Sequence, residues 1–82
     1  MEPIYPKEDT QEYKVLLKLI EADDEWTSGQ VFLHSMYLSQ YHRAIWNLEN
    51  RFHWKIEHSD FTDDFGFKSY RLLIKTEQLN LV

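Results

Sequence analysis

Leu38–Glu57, LSQYHRAIWNLENRFHWKIE, joins two different hydrophobic periods, and the join decides the fold. Tyr41, Ala44, Ile45, Leu48 and Phe52 recur at i, i+3, i+4, i+7 and i+11, which is the spacing of one helical face. After His53 the period drops to two, with Trp54, Ile56 and His58 on one side and Lys55 and Glu57 on the other. A helix over 39–52, with Ser39 as its N-cap, is therefore expected to run through a short turn into a strand. The face of that helix opposite the apolar one carries Gln40, His42, Arg43, Trp46, Asn47 and Asn50.

Upstream, two further helical patterns precede this one. Tyr13, Leu16, Leu17 and Ile20 share a face that Val15 and Leu19 widen, and Asp9 with Glu12 has capping-box spacing, so a first helix is expected over 10–22. Thr27 with Gln30 repeats that spacing, and Trp26 with Val31 occupies the two positions of a hydrophobic staple, predicting a second helix over 28–36. Downstream, the turn-rich DFTDDFGF separates the first alternating run from a second, in which Tyr70, Leu72 and Ile74 face away from Ser69, Arg71 and Leu73. The pair reads as a β-hairpin with an acidic tip. Residues 1–8 form a lead-in, 9–75 the domain and 76–82 a short tail.

Eighty-two residues supply one core and leave little room for a large catalytic cleft. An aromatic content of 16% compensates for the short chain, because each ring buries more area than an aliphatic side chain. With no cysteine, disulfides and cysteine-based zinc sites are ruled out. No apolar run approaches the length of a membrane span, and the first residues lack the basic and apolar regions of a secretory leader, so a soluble cytoplasmic protein is expected.

The net charge of -5 is unevenly spread. Residues 1–30 hold three lysines against eight acids, whereas 31–58 hold Arg43, Arg51 and Lys55 against Glu49 and Glu57, together with all four histidines. Indiscriminate binding of polyanions is disfavoured, and the candidate helix lies in the least acidic part of the molecule.

Three short helices followed by a C-terminal β-hairpin make an α+β chain whose element order is that of a winged helix-turn-helix domain. Ile45 and Leu48 in the third helix, Ile56 and Glu57 at the following strand, and Tyr70 and Leu72 in the closing strand also match a short motif. In these residues the chain resembles the small winged-helix proteins common in bacteriophages and mobile elements. The resemblance spans about residues 13–74. It implies a DNA-binding protein, a transcriptional regulator or accessory factor, with the third helix as recognition helix. Ala44 stands where the motif has Arg, Glu49 where a basic residue follows the Leu, and NRFH (50–53) replaces a Gly-containing turn.

In that geometry the N-terminal half of the recognition helix reaches base edges in the major groove. Gln40 and Asn47 are candidates for adenine and Arg43 for guanine. Ser39 and His42 are candidates for phosphate or base contacts, and Arg51, Lys55 and Lys68 for backbone phosphates. Double-stranded DNA is then the partner, bound as a homodimer on two half-sites. The plainer reading is that these polar groups keep an exposed helix soluble. Asp60, Asp63 and Asp64 at the hairpin tip favour a different partner, a protein with a basic surface. For that alternative Trp46 and Asn50 are the contact candidates, because Trp dominates interface hot spots. Trp46 lies about 100° from Ile45 around the helix, at the border between core and surface.

Other chemistry finds little support. The histidine spacings match no zinc motif, and Asp64-Phe65-Gly66, the magnesium-binding tripeptide of kinases, reads as a turn in a chain without a phosphate loop. No nucleophile–base arrangement appears, so neither an enzyme nor a cofactor is expected.

Overall fold

A computed structural model describes residues 2–73. Ile74, Lys75 and the tail 76–82 lie outside the described residues. The described residues form a small α+β fold of three helices and a three-stranded antiparallel sheet.

Helix α1 (Gln11–Ala22) is capped by Thr10, whose hydroxyl oxygen accepts from the Tyr13 N–H at 3.2 Å and whose hydroxyl donates to the Lys7 carbonyl at 2.7 Å. The cap expected at Asp9 is therefore one residue later, because the Thr10 hydroxyl both closes the preceding turn and serves the helix. Val15, Leu16 and Leu19 are fully buried on its inner face. The helix stops at Asp23, where a positive φ of 57° turns the chain while the Asp23 N–H donates to the Leu19 and Ile20 carbonyls.

Strand β1 (Thr27–Ser28) pairs antiparallel with strand β3 (Lys68–Leu72), Thr27 opposite Tyr70 and Ser28 opposite Ser69. This strand corrects the simple count of three helices and a two-stranded hairpin. Two residues cannot display alternation, and their partner lies some forty residues away. Thr27 is consequently a buried strand residue rather than a helix cap, and the Ser28 hydroxyl accepts from the Gln30 N–H at 3.1 Å.

The second helix is a π-helix over Val31–Ser35, reached through Gly29 and Gln30 and closed by the Met36 N–H donating to the Val31 carbonyl at 2.9 Å. Gly29 is required by proximity, since a Cβ there would lie 2.5 Å from the Tyr41 hydroxyl oxygen and 3.1 Å from the Phe67 ring. Tyr37, at φ 56° and 83% exposed, turns the chain into helix α2 (Tyr41–Asn50).

Helix α2 is shorter than the expected 39–52. Ser39 is exposed and makes no cap. The residue at the cap is Gln40, and its N–H is satisfied from another helix, by the Gln11 side-chain carbonyl at 3.2 Å. At the far end the Arg51 and Phe52 N–H groups both donate to the Asn47 carbonyl, and His53 takes a positive φ of 63°. Tyr41, Ala44, Ile45 and Leu48 are buried as their period predicts.

Strand β2 (Ile56–Thr62) pairs with β3 and completes the strand order β1-β3-β2. Ile56 opposite Leu72 faces the core, while Glu57 opposite Arg71 faces out, with the Arg71 Nε–H donating to Glu57 at 2.7 Å. The pairing is irregular between His58 and Thr62, where the buried Ser59 hydroxyl accepts from the Ser69 N–H at 2.8 Å and donates to the Phe61 carbonyl at 2.6 Å. That bulge interrupts the simple alternation. His58 is left at the sheet edge, edge-on to Tyr70 and 2.9 Å from the Glu49 carboxylate.

The lead-in is tied down. The Ile4 N–H donates to the Phe52 carbonyl at 2.8 Å, the Trp54 indole N–H donates to the Ile4 carbonyl at 2.7 Å, and the Tyr5 ring stands edge-on to Trp54. No helix among the described residues is long and apolar enough to cross a membrane.

Candidate nucleic-acid interface

Helix α2 packs its inner face on α1, with Tyr41 also meeting Tyr70 of β3, and leaves its outer face bare. His42, Arg43, Trp46 and Asn50 are exposed along it, spaced so that they lie within one arc at about 100° per residue. Trp46, 57% exposed, stands in the middle of this arc rather than at the edge of the core. The Asn50 side-chain amide donates to the Trp46 carbonyl at 2.9 Å, which commits one of its two donors to the helix itself.

Asn47 is not presented. It is only 8% exposed, and its amide donates to the Glu12 carboxylate of α1 at 2.6 Å. One step of about 100° beyond Trp46 carries it under α1, so its role is to join two helices and it leaves the set of base-reading candidates. Glu12, expected to close a capping box, is instead taken up by this contact.

The remaining candidates divide between two flanks. Gln40 and Arg43 line a cleft of about 290 Å³ with Thr10, Gln11, Glu12 and Ala44, between the starts of α1 and α2. On the other flank, His42 and Lys68 line a groove between α2 and the β2–β3 hairpin. Arg51 and Lys55 are exposed beyond the C-terminal end of α2, and Arg43 and Arg51 lie about 12 Å apart along the helix. The cations are thus spread along and around α2 rather than gathered into one patch.

The acidic hairpin tip is less uniform than its sequence implies. Asp63 accepts from the Gln30 side-chain amide, the Ser28 hydroxyl at 3.0 Å, and the Phe65 and Phe67 N–H groups at 2.9 Å each. These bonds, Gln30 foremost and then the Phe67 N–H, hold its carboxyl down at about 2. It remains an anion, but as the anchor joining the hairpin tip to β1 and the start of the second helix. Asp60 and Asp64 stay exposed. Elsewhere Arg71 serves Glu57, lies 4.2 Å over the Trp26 ring and reaches the Asp24 carbonyl.

The two most exposed aromatics are not among the candidates read from sequence. Phe65, at the hairpin tip, is 74% exposed, and Tyr37, between the second helix and α2, is more exposed still. The available signal was an aromatic placed inside a polar turn, as in DDFG. Among the described residues no three His, Asp or Glu side chains gather as a metal site. No protein-family model, curated protein or solved structure matches this chain.

Proposed function

We propose that the chain is a winged helix-turn-helix protein that binds double-stranded DNA, serving as a transcriptional regulator or accessory factor of phage or mobile-element origin. The observation that carries this reading is the bare outer face of α2, a helix packed on α1 with its start beside the β2–β3 hairpin. Such a frame suits insertion of one helix into a major groove with the hairpin as wing. Arg43 and Gln40 then meet base edges, Ser39 and His42 meet base or phosphate, and Arg51, Lys55 and Lys68 meet phosphates. Binding as a dimer on two half-sites offsets the weak attraction expected of one acidic module. Affinity measurements on selected and random duplex test the roles. Arg43→Ala relaxes base preference, whereas Lys55→Ala weakens all sequences alike, and equal losses in both would refute the assignment.

Trp46 favours a second reading. An indole more than half exposed at the centre of the bare face, beside Asn50, suits a protein partner whose surface is basic, complementing the chain's net charge of -5. Pull-down from the native host with Trp46→Ala as comparison tests it, and an unchanged partner profile removes Trp46 as an anchor.

A further inference from the structure

The groove between α2 and the hairpin tip has a volume of about 240 Å³ and is walled by Tyr41, His42, Phe65, Phe67, Lys68 and Tyr70, with Gly66 at its rim. None of these lining residues is acidic, in a chain whose net charge is -5. Tyr41 and Tyr70 are buried and form its floor. The Tyr41 hydroxyl is packed against Gly29, so that residue offers the groove its ring rather than its phenol. His42 lies against that ring, with centroids 4.1 Å apart and planes 32° apart, which fixes the imidazole at one wall. Lys68 supplies an exposed ammonium, and Phe65 an exposed apolar ring. Of the two acids that precede Phe65, Asp64 is exposed and lines none of the groove, and Asp63 has both carboxylate oxygens engaged by Ser28, Gln30 and the Phe65 and Phe67 N–H groups.

A cation, an imidazole and an aromatic wall complement one chemical unit in particular, an anionic phosphodiester joined to the apolar face of a sugar. We infer that this groove seats one deoxyribose-phosphate unit of a DNA strand, with the phosphate between Lys68 and His42 and the sugar against Phe65. The inference rests on the DNA-binding reading and adds to it that α2 and the hairpin hold the same strand, with Phe65 as a contact residue. The contact is to backbone only, so it adds affinity without sequence preference.

The test is salt-dependent titration of selected and random duplex with the full chain and with Lys68→Ala, Phe65→Ser and, as a control away from the groove, Lys14→Ala, each verified as folded by circular dichroism. Lys68→Ala weakens both duplexes by the same factor and lowers the slope of log affinity against log salt by about one. Phe65→Ser weakens both several-fold and leaves the slope unchanged, because it removes an uncharged contact. Lys14→Ala changes neither. If the unaltered chain binds duplex while Lys68→Ala and Phe65→Ser keep its affinity and slope, the seat is wrong and the DNA reading stands. If the unaltered chain binds neither duplex, both fall together.

Discussion

Asn47 of α2 donates its side-chain amide to Glu12 of α1 at 2.6 Å, so a residue that sequence assigns to the presented face is part of the frame that holds that face in place. Replacing it by Ala leaves Glu12 without its partner and opens a small gap under α1. Asn47→Ala therefore lowers unfolding free energy by about 1.5–3 kcal/mol, the usual range for losing a hydrogen bond to a charged group. Urea denaturation measures this. Base preference in duplex selection stays as in the parent, and a shift in preference would return Asn47 to the contact surface.

Asp63 gives a pH signature. Its folded-state value is lowered from 3.8 to about 2, so its contribution to stability is fully present above 3.8 and is lost as pH falls through about 2. Thermal melts between neutral pH and pH 2 should show the parent losing stability across that window, with a flatter acid limb in Asp63→Asn. Superimposable acid limbs would show that the hairpin tip does not depend on this carboxylate.

Trp54→Phe leaves a smaller aromatic ring for Tyr5 to pack against and removes the indole N–H that reaches the Ile4 carbonyl. The expected loss is about 1 kcal/mol, with faster amide exchange at Ile4, whose N–H is held by Phe52. Unchanged exchange at Ile4 would mean that the lead-in is held by packing alone.

Gly29→Ala forces a methyl group to 2.5 Å from the Tyr41 hydroxyl oxygen, and Tyr41 is buried. Overpacking of this kind costs about 1–3 kcal/mol. Calorimetry on the variant measures it, and a melting temperature equal to the parent's would show that Tyr41 moves aside freely.

Trp46→Ala separates surface from core. An exposed side chain on a helix contributes little to folding, so stability changes by less than about 0.5 kcal/mol while binding suffers. A large loss of stability would put the indole back among the core residues.

These contacts also show which parts of the molecule the chain makes legible. The buried face of α2 was readable because Tyr41, Ala44, Ile45 and Leu48 repeat at helical spacing, and the hairpin because two alternating runs flank a Gly-containing turn. What escaped depends on distant partners. β1 is two residues long and exists through Tyr70 and Ser69, the Gln40 N–H at the start of α2 is met by Gln11, and Asn47 is turned inward by Glu12. The same limit applies to the candidate surface. His42, Arg43 and Asn50 follow from the helical period, whereas the exposure of Trp46 and the inward role of Asp63 depend on what α1, β1 and the second helix cover.

The central claim is that the bare face of α2 binds duplex DNA, and titration of labelled duplex of selected and random sequence tests it most directly. Binding is expected at about 50 mM salt and should fall steeply by about 200 mM as counterion release loses its force, with the selected duplex held more tightly. Absence of binding to either duplex at the lower salt would contradict the claim.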